Sequence, residues 1–275
     1  MIRFSVRMTA FCFIFMGLIS SCSNRDSGAR AYLEAAESAY QAGNFPLAKL
    51  KIDSIAMLFP NAFSERRAGI SLLQQVRMAE NVRNIAFADS MLVEKYAELN
   101  AKLPLFDFVL DTENQDLAMY YPRAYPPNVS LNRSGVRARV NEKGVLFIES
   151  VVVGNNIRHN QIRASVRDGS FAETLPVTSD GLNARFSTPD NSFEIVTYNG
   201  NTENGFAKFI EVFQNEQITI QFIGSRNATI TLSNAEKRGI IESLELSILL
   251  TDIERLKFER SRSEVLIRYL ENKRE

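Results

Sequence analysis

Residues 136–153, VRARVNEKGVLFIESVVV, decide the fold class because they predict a β-hairpin. Apolar and charged residues alternate over 136–140, which is typical of a strand buried on one face. The run 145–153 is rich in β-branched residues, and NEKG at 141–144 supplies the turn. Further strands of this kind are predicted at 106–110, 162–166, 193–198, 218–223 and 229–232, with one helix at 204–213.

Two long helices are predicted on either side of this β segment. Residues 64–103 and 234–273 contain no proline, and in both the apolar residues recur at spacings of three and four. This spacing is the seam pattern of a coiled coil, and separate packing of each helix against the β domain or the hairpin is the alternative. When the two seams are aligned antiparallel, the only acid of one, Asp89, falls opposite the only base of the other, Arg260. The same register places Leu103 opposite Leu246, Tyr96 opposite Ile253, and Val82 opposite Ile267.

Composition excludes several classes of protein. The chain has 275 residues, 45% hydrophobic and 23% charged, which is enough apolar material for a folded core. Basic and acidic residues balance at 32 each, so the basic surface typical of a nucleic-acid-binding protein is not expected. The chain holds one histidine and two cysteines, and we expect no catalytic residues, no metal site and no cofactor.

The first 22 residues have the composition of an export signal. Two arginines precede the apolar run 8–19, MTAFCFIFMGLI, which is too short to span a membrane. The motif ISSC at 19–22 resembles the bacterial lipobox. The resemblance implies cleavage before Cys22, lipidation of that cysteine and, because Ser23 follows rather than aspartate, sorting to the outer membrane. An ordinary secretory signal with an incidental cysteine is the alternative.

Residues 29–60 predict a helical hairpin that resembles one tetratricopeptide unit. The first helix is rich in alanine, and GNFP at 43–46 separates it from the second. The resemblance departs at Ala36, where the family prefers glycine, and the chain has no second 34-residue copy. It implies either a peptide-binding groove or a structural hairpin that packs on the next helix. The matching positions are Tyr32, Ala36, Gly43, Phe45, Ala48, Ile52 and Pro60.

Together these patterns predict an α+β protein. It comprises an N-terminal helical hairpin, an antiparallel two-helix coiled-coil stalk and an inserted antiparallel β domain, either a sandwich or a barrel. The expected divisions are a signal peptide at 1–21, a tether at 22–28, the hairpin and long helix at 29–103, the β domain at 104–233, and a C-terminal helix at 234–275 that pairs with 78–103.

Three charged groups each allow a functional and a structural interpretation. Asp107, Asp111, Glu113 and Asp116 suit either a calcium loop or a solvated acidic turn. His159 suits a pH sensor or, more ordinarily, a surface turn. The arginine pairs 137 and 139, and 163 and 167, suit either an anionic glycan site or the polar outer face of a sheet.

The least ordinary stretch is MYYPRAYPP at 119–127. Proline stiffens a chain and tyrosine offers amphipathic contact area, so the stretch predicts partner or glycan binding by Tyr120, Tyr121, Arg123 and Tyr125. Packing of the stretch beneath the sheet is the alternative. The expected function is a non-catalytic, lipid-anchored envelope scaffold or adaptor that binds a protein partner. Two alternatives remain open: a glycan- or ligand-binding lipoprotein, and a periplasmic adaptor of an efflux assembly.

Overall fold

The computed structural model describes residues 23–110, 117–126, 133–178 and 183–272. Helices followed by antiparallel sheets confirm the predicted α+β class. The chain divides into two compact units: unit 1 from Met1–Asp89 with Glu259–Glu275, and unit 2 from Ser90–Phe258. The domain borders predicted at 103/104 and 233/234 both fall inside unit 2.

Unit 1 begins with a helical hairpin. α1 (Ser23–Gln41) and α2 (Phe45–Leu58) are joined by a short turn in which Gly43 has a φ of +71°, a conformation that glycine adopts without a steric penalty. Asn44 then caps α2, because its side-chain oxygen accepts a hydrogen bond from the Leu47 N–H at 3.2 Å. The predicted hairpin is therefore present and its turn lies where the sequence placed it.

The segment predicted as a tether, 22–28, is helical from Ser23, where α1 begins, so it is continuous with the first helix of the hairpin. Cys22 and the predicted signal peptide at 1–21 lie outside the described residues.

The hairpin packs on the first half of α3 (Phe63–Lys102). Small side chains on α1 let the helices approach closely, and larger ones on α2 and α3 fill the space between them. One cluster joins all three helices and consists of Ala36, Ala39, Phe45, Ala48, Ile52, Leu72 and Val76. The hairpin thus obtains from α3 the apolar partner that a single hairpin lacks.

Unit 2 contains two antiparallel sheets. The six-stranded sheet has the order β1-β2-β3-β4-β8-β7, and the four-stranded sheet has the order β10-β9-β5-β6. All their pairings are antiparallel, as predicted. The strands are β1 (Phe106–Val109), β2 (Met119–Pro122), β3 (Gly135–Asn141), β4 (Leu146–Val153), β5 (Gln161–Ser165), β6 (Phe171–Glu173), β7 (Asn183–Ser187), β8 (Ser192–Asn199), β9 (Thr219–Ile223) and β10 (Ala228–Thr231).

The inner faces of the two sheets share one core, so unit 2 is a sandwich rather than a barrel. Val136, Ile148 and Val196 from the first sheet belong to the same buried cluster as Ile162 and Phe222 from the second. The short helix α4 (Phe206–Val212) and the start of α5 (Asn234–Asn272) also contribute side chains to it.

The two long helices run antiparallel within unit 2. Lys95 of α3 forms an ion pair with Asp252 of α5 at 3.4 Å, and Lys102 pairs with Glu245 at 2.7 Å. The leucine and isoleucine seam residues of α5 that are buried are Leu246, Leu249, Ile253, Leu256 and Leu270. Val82 of α3, in unit 1, is 54% exposed. Val82, predicted opposite Ile267, is therefore not buried in a seam.

Candidate functional site

A groove of ≈ 430 Å³ lies within unit 1, lined by residues of α2, α3 and the last turns of α5. Its lining includes two buried polar residues, Ser263 and Asn81, and Asn81 Nδ2 donates to the Arg77 carbonyl oxygen at 2.8 Å. From α2, Lys49 Nζ binds both carboxylate oxygens of Glu80, at 2.8 and 2.9 Å. The α5 wall supplies the apolar contacts, from Leu266, Tyr269 and Leu270.

The lining of this groove carries more positive than negative charge. Three basic side chains, Lys49, Arg77 and Arg262, face two carboxylates, Glu80 and Glu259. Lys49 is held by Glu80, and Arg262 lies 3.7 Å from Glu259. Arg77 is exposed and makes no ion pair within the described part of the chain. A spare cation beside amide and apolar side chains suits a peptide segment that is acidic on one side and apolar on the other.

Sequence reasoning did not find this groove. Its lining comes from three separate helices, and each charged residue viewed alone belongs to an ordinary solvated helix face. The predicted pair of Asp89 and Arg260 was the one available signal that these parts of α3 and α5 meet. The structure brings that pair together in unit 1, with Arg260 Nε 2.6 Å from Asp89 Oδ1.

The tyrosine-rich stretch does not form one exposed surface. Tyr120 lies on β2 opposite Phe108, with the ring centroids 4.8 Å apart, and burial raises its pKa. Tyr125 is only 4% exposed and packs where α5 has a glycine, Gly239. Tyr125 is therefore part of the core, and its predicted role in partner binding is wrong.

The other two residues predicted in this stretch lie nearer the solvent. Tyr121 is half-buried on β2, opposite Asp107 of β1. The exposed Arg123 pairs with the same Asp107, Nε to Oδ1, at 2.8 Å. This ion pair engages the first member of the predicted acidic cluster, while Asp111, Glu113 and Asp116 lie outside the described residues.

His159 is fully buried, not on a surface turn as the sequence suggested. Its Nδ1 lies 2.8 Å from Glu194 Oε2, and its Nε2 lies 2.7 Å from Ser150 Oγ. The backbone of Arg158, with a φ of +52°, turns so that the N–H groups of Arg158 and His159 also donate to the Glu194 carboxylate, at 2.7 and 3.0 Å. The segment 154–160 between β4 and β5, which we call the histidine loop, is thus tied to β4 and β8 by four hydrogen bonds.

These contacts set the charge state of the network. Burial lowers the pKa of His159, and the hydrogen bond to Glu194 opposes this without reversing it. Burial raises the pKa of Glu194, but the donors on its two oxygens outweigh that effect and hold the pKa below its ordinary value. A neutral imidazole therefore donates from Nδ1 to a carboxylate and accepts the Ser150 hydroxyl at Nε2.

Serine, histidine and glutamate follow one another here in the hydrogen-bond order of a hydrolytic triad. A nucleophile must be reached by its substrate, and Ser150 has no exposed surface because it points into the core between the sheets. Its Oγ lies 3.3 Å from the hydroxyl of Tyr198, which is equally buried. The three side chains therefore form a buried polar network that holds the histidine loop against the six-stranded sheet.

Three of the four predicted arginines contact carboxylates. Arg137 and Arg139 on β3 both bind Glu149 of the neighbouring β4, and Arg163 on β5 binds Glu173 of β6. Each pair spans adjacent strands and stabilises the sheet face. These contacts weaken the interpretation of Arg137, Arg139 and Arg163 as an anionic glycan site, because each already contacts a carboxylate. The exposed Arg167 forms no ion pair with the residues that the structure describes.

Over the described ranges, no cluster of three or more acidic, histidine or cysteine side chains is arranged to hold a metal ion. No helix in the same ranges combines the length and apolar character needed to cross a bilayer. No family model, curated protein or solved structure matches the chain.

Proposed function

We propose that this protein is a non-catalytic, lipid-anchored adaptor of the bacterial cell envelope that holds a protein partner in the groove of unit 1. The lipobox-like motif at 19–22 supports the anchor, and Ser23 after it favours the outer membrane. The groove supports the binding of a partner, because it combines a cation without an ion pair, Arg77, with apolar side chains.

The chemistry of the groove favours a protein segment as its ligand. Leu266 and Tyr269 offer apolar contact area, while Arg77 and the exposed Asn84 offer hydrogen-bond donors. A segment with one carboxylate near an apolar side chain fits this combination. The burial of Ser150 supports a role without catalysis, since the triad-like group has no access to substrate.

Site-specific photo-crosslinking in living cells tests this proposal. A photoreactive residue at Asn84 or Leu266 lies in the groove lining, whereas one at Glu37, exposed on α1, serves as the control. We expect one protein adduct of the same mass from both groove positions and none from Glu37. Charge reversal by Arg77→Glu should weaken the adduct formed at Leu266 several-fold. Equal adducts at Glu37, or none at either groove position, would contradict the proposal.

A second candidate function, glycan binding, is favoured by a small depression of ≈ 130 Å³ in unit 2. Phe186 on β7 stacks on Phe193 of β8 with ring centroids 5.0 Å apart, and 47% of Phe186 is exposed. Asn156, Ser187 and Ser192 line the same depression with polar atoms. An exposed aromatic face beside polar groups suits a sugar ring. Binding on a glycan array that is lost in Phe186→Ala would support this alternative, and no binding would remove it.

A further inference from the structure

Three large apolar side chains are exposed where α2 connects to α3. Met57 is 81% exposed, Leu58 57% and Phe63 72%. We call these residues the α2–α3 corner. Scattered single apolar residues are ordinary on protein surfaces, but three large ones within seven consecutive residues at one connection suit an interaction surface.

The α2–α3 corner lies at the end of the hairpin where α1 begins. Tyr32 of α1 packs on Phe59, just after α2, with ring centroids 5.8 Å apart. Ala29 of α1 is buried in one cluster with Ile55 and Ala62. The start of α1 therefore lies beside the end of α2, next to the exposed corner.

This end of the hairpin is also where the chain continues to Cys22. α1 is helical from Ser23, so the path from Ser23 to residue 28 covers only about 8 Å along the helix axis at 1.5 Å per residue. A lipid on Cys22 would hold this end of unit 1 close to the bilayer. A protein that bound the α2–α3 corner would have to fit into the narrow space between this end of unit 1 and the bilayer.

We infer that the α2–α3 corner inserts into the interfacial layer of the bilayer that holds the Cys22 lipid. This inference rests on the lipid anchor of the proposed function. Met57, Leu58 and Phe63 would enter the boundary between headgroups and acyl chains, as the apolar face of an interfacial helix does. Arg67, exposed one turn into α3, would lie at the level of the lipid phosphates.

The second contact gives the anchor an orientation. An acyl chain alone holds a protein near the membrane but lets it rotate about the attachment point. Insertion of the corner beside that point would fix the hairpin end against the bilayer. The turn at Gly43, at the opposite end of the hairpin, would then point away from the membrane.

Depth-dependent fluorescence quenching tests the inference on the lipidated full-length mature protein. The protein is reconstituted into vesicles of phosphatidylethanolamine and phosphatidylglycerol that contain brominated phospholipid. A single cysteine replaces Met57, Phe63, Ile70 or Ser38 in turn and carries an environment-sensitive fluorophore. All four sites are exposed, so the substitutions should leave the fold intact. Ser38 near the far end of the hairpin is the control, and Ile70 lies about 10 Å beyond Phe63 along α3.

We expect strong quenching at positions 57 and 63, several-fold weaker quenching at 70 and none at 38. Vesicle-bound protein whose labels at 57 and 63 are quenched no more than the label at 38 would overturn the corner contact while leaving the anchor intact. Protein that does not float with the vesicles would overturn both the anchor and this inference. Shielding of position 57 by a second copy, seen as a crosslinked dimer instead of lipid quenching, would also overturn it.

Discussion

Arg260 Nε donates a hydrogen bond to Asp89 Oδ1 at 2.6 Å, across 171 residues of sequence. The contact joins α3 to α5 within unit 1 and keeps the antiparallel register that the two apolar seams predict. Both side chains are about half exposed, and Arg260 also binds Glu264 of its own helix at 2.8 Å. The pair therefore marks the register without being a buried charge pair.

The first prediction concerns the energy of this ion pair. Asp89→Ala should lower the melting temperature only slightly, because water solvates Arg260 and Glu264 remains its partner. Glu254→Ala, which removes an exposed pair with Lys257 inside α5, is the matched control. Thermal unfolding of the two variants should give similar shifts. A much larger drop for Asp89→Ala would mean that the pair is energetically central to the contact between the helices.

The second prediction concerns pH. His159 is the only histidine in the chain, and its pKa is lowered by burial. The unfolded chain takes up a proton near pH 6.5, while folded His159 stays neutral to lower pH. Stability conferred by the neutral ring is thus complete above about pH 6.5 and is lost as the pH falls, by at most about 1.4 kcal/mol per pH unit.

Urea unfolding at a series of pH values measures this slope. His159→Asn should remove the slope between about pH 6.5 and 5, whatever it does to the stability at neutral pH. Ser150→Ala, which keeps the histidine and its bond to Glu194, should retain the slope. If His159→Asn leaves the profile unchanged, another group titrates there and the buried neutral histidine is not the cause.

The third prediction separates core from surface in the tyrosine-rich stretch. Tyr125→Ser should cost about 3–5 kcal/mol of stability, since it removes a buried ring beneath α5. Tyr125→Phe keeps the ring and should remain close to wild type. Tyr121→Ser, at a half-buried position on β2, should cost clearly less than Tyr125→Ser. Chemical denaturation ranks the stabilities of the three variants. Equal losses of stability for Tyr121→Ser and Tyr125→Ser would contradict the assignment of Tyr125 to the core.

The fourth prediction tests how closely Gly224, the residue after β9, approaches the histidine loop. A Cβ at Gly224 would lie 2.4 Å from the Ile157 carbonyl oxygen and 2.7 Å from the His159 backbone. Gly224→Ala should therefore destabilise unit 2 by about 1–3 kcal/mol through overpacking. Gly169→Ala, where a φ of +91° is strained but no atom lies within 4 Å, isolates the backbone effect and should cost less. The reverse order would show that the loop moves aside easily.

The spacing of apolar residues predicted the elements whose own sequence favours a helix, a strand or a turn. Both long helices, the hairpin turn at Gly43 and seven strands lie within a few residues of their predicted positions. The missed strands β2, β6 and β7 have three to five residues each, and β2 contains Pro122. Such strands form because a neighbour supplies hydrogen bonds, so their own sequence carries little signal.

Sites assembled from distant segments were beyond sequence reasoning. His159 is part of an unremarkable turn sequence, and only the fold brings Glu194 and Ser150 to its two ring nitrogens. The groove of unit 1 depends in the same way on three helices meeting. Tyr125 shows the opposite error, in which a binding residue was predicted where the fold has a core residue. A composition rich in proline and tyrosine is typical of binding loops, but it also suits a buried segment beneath α5.

Mass spectrometry of the mature N-terminus, on protein extracted from membranes with detergent, tests the central claim of a lipid-anchored adaptor. We expect an N-terminal fragment that begins at Cys22 and carries a diacylglyceryl group on sulfur and an acyl group on nitrogen. An unmodified Cys22, or a mature chain that begins at another residue, would contradict the anchor and the membrane contact of the α2–α3 corner.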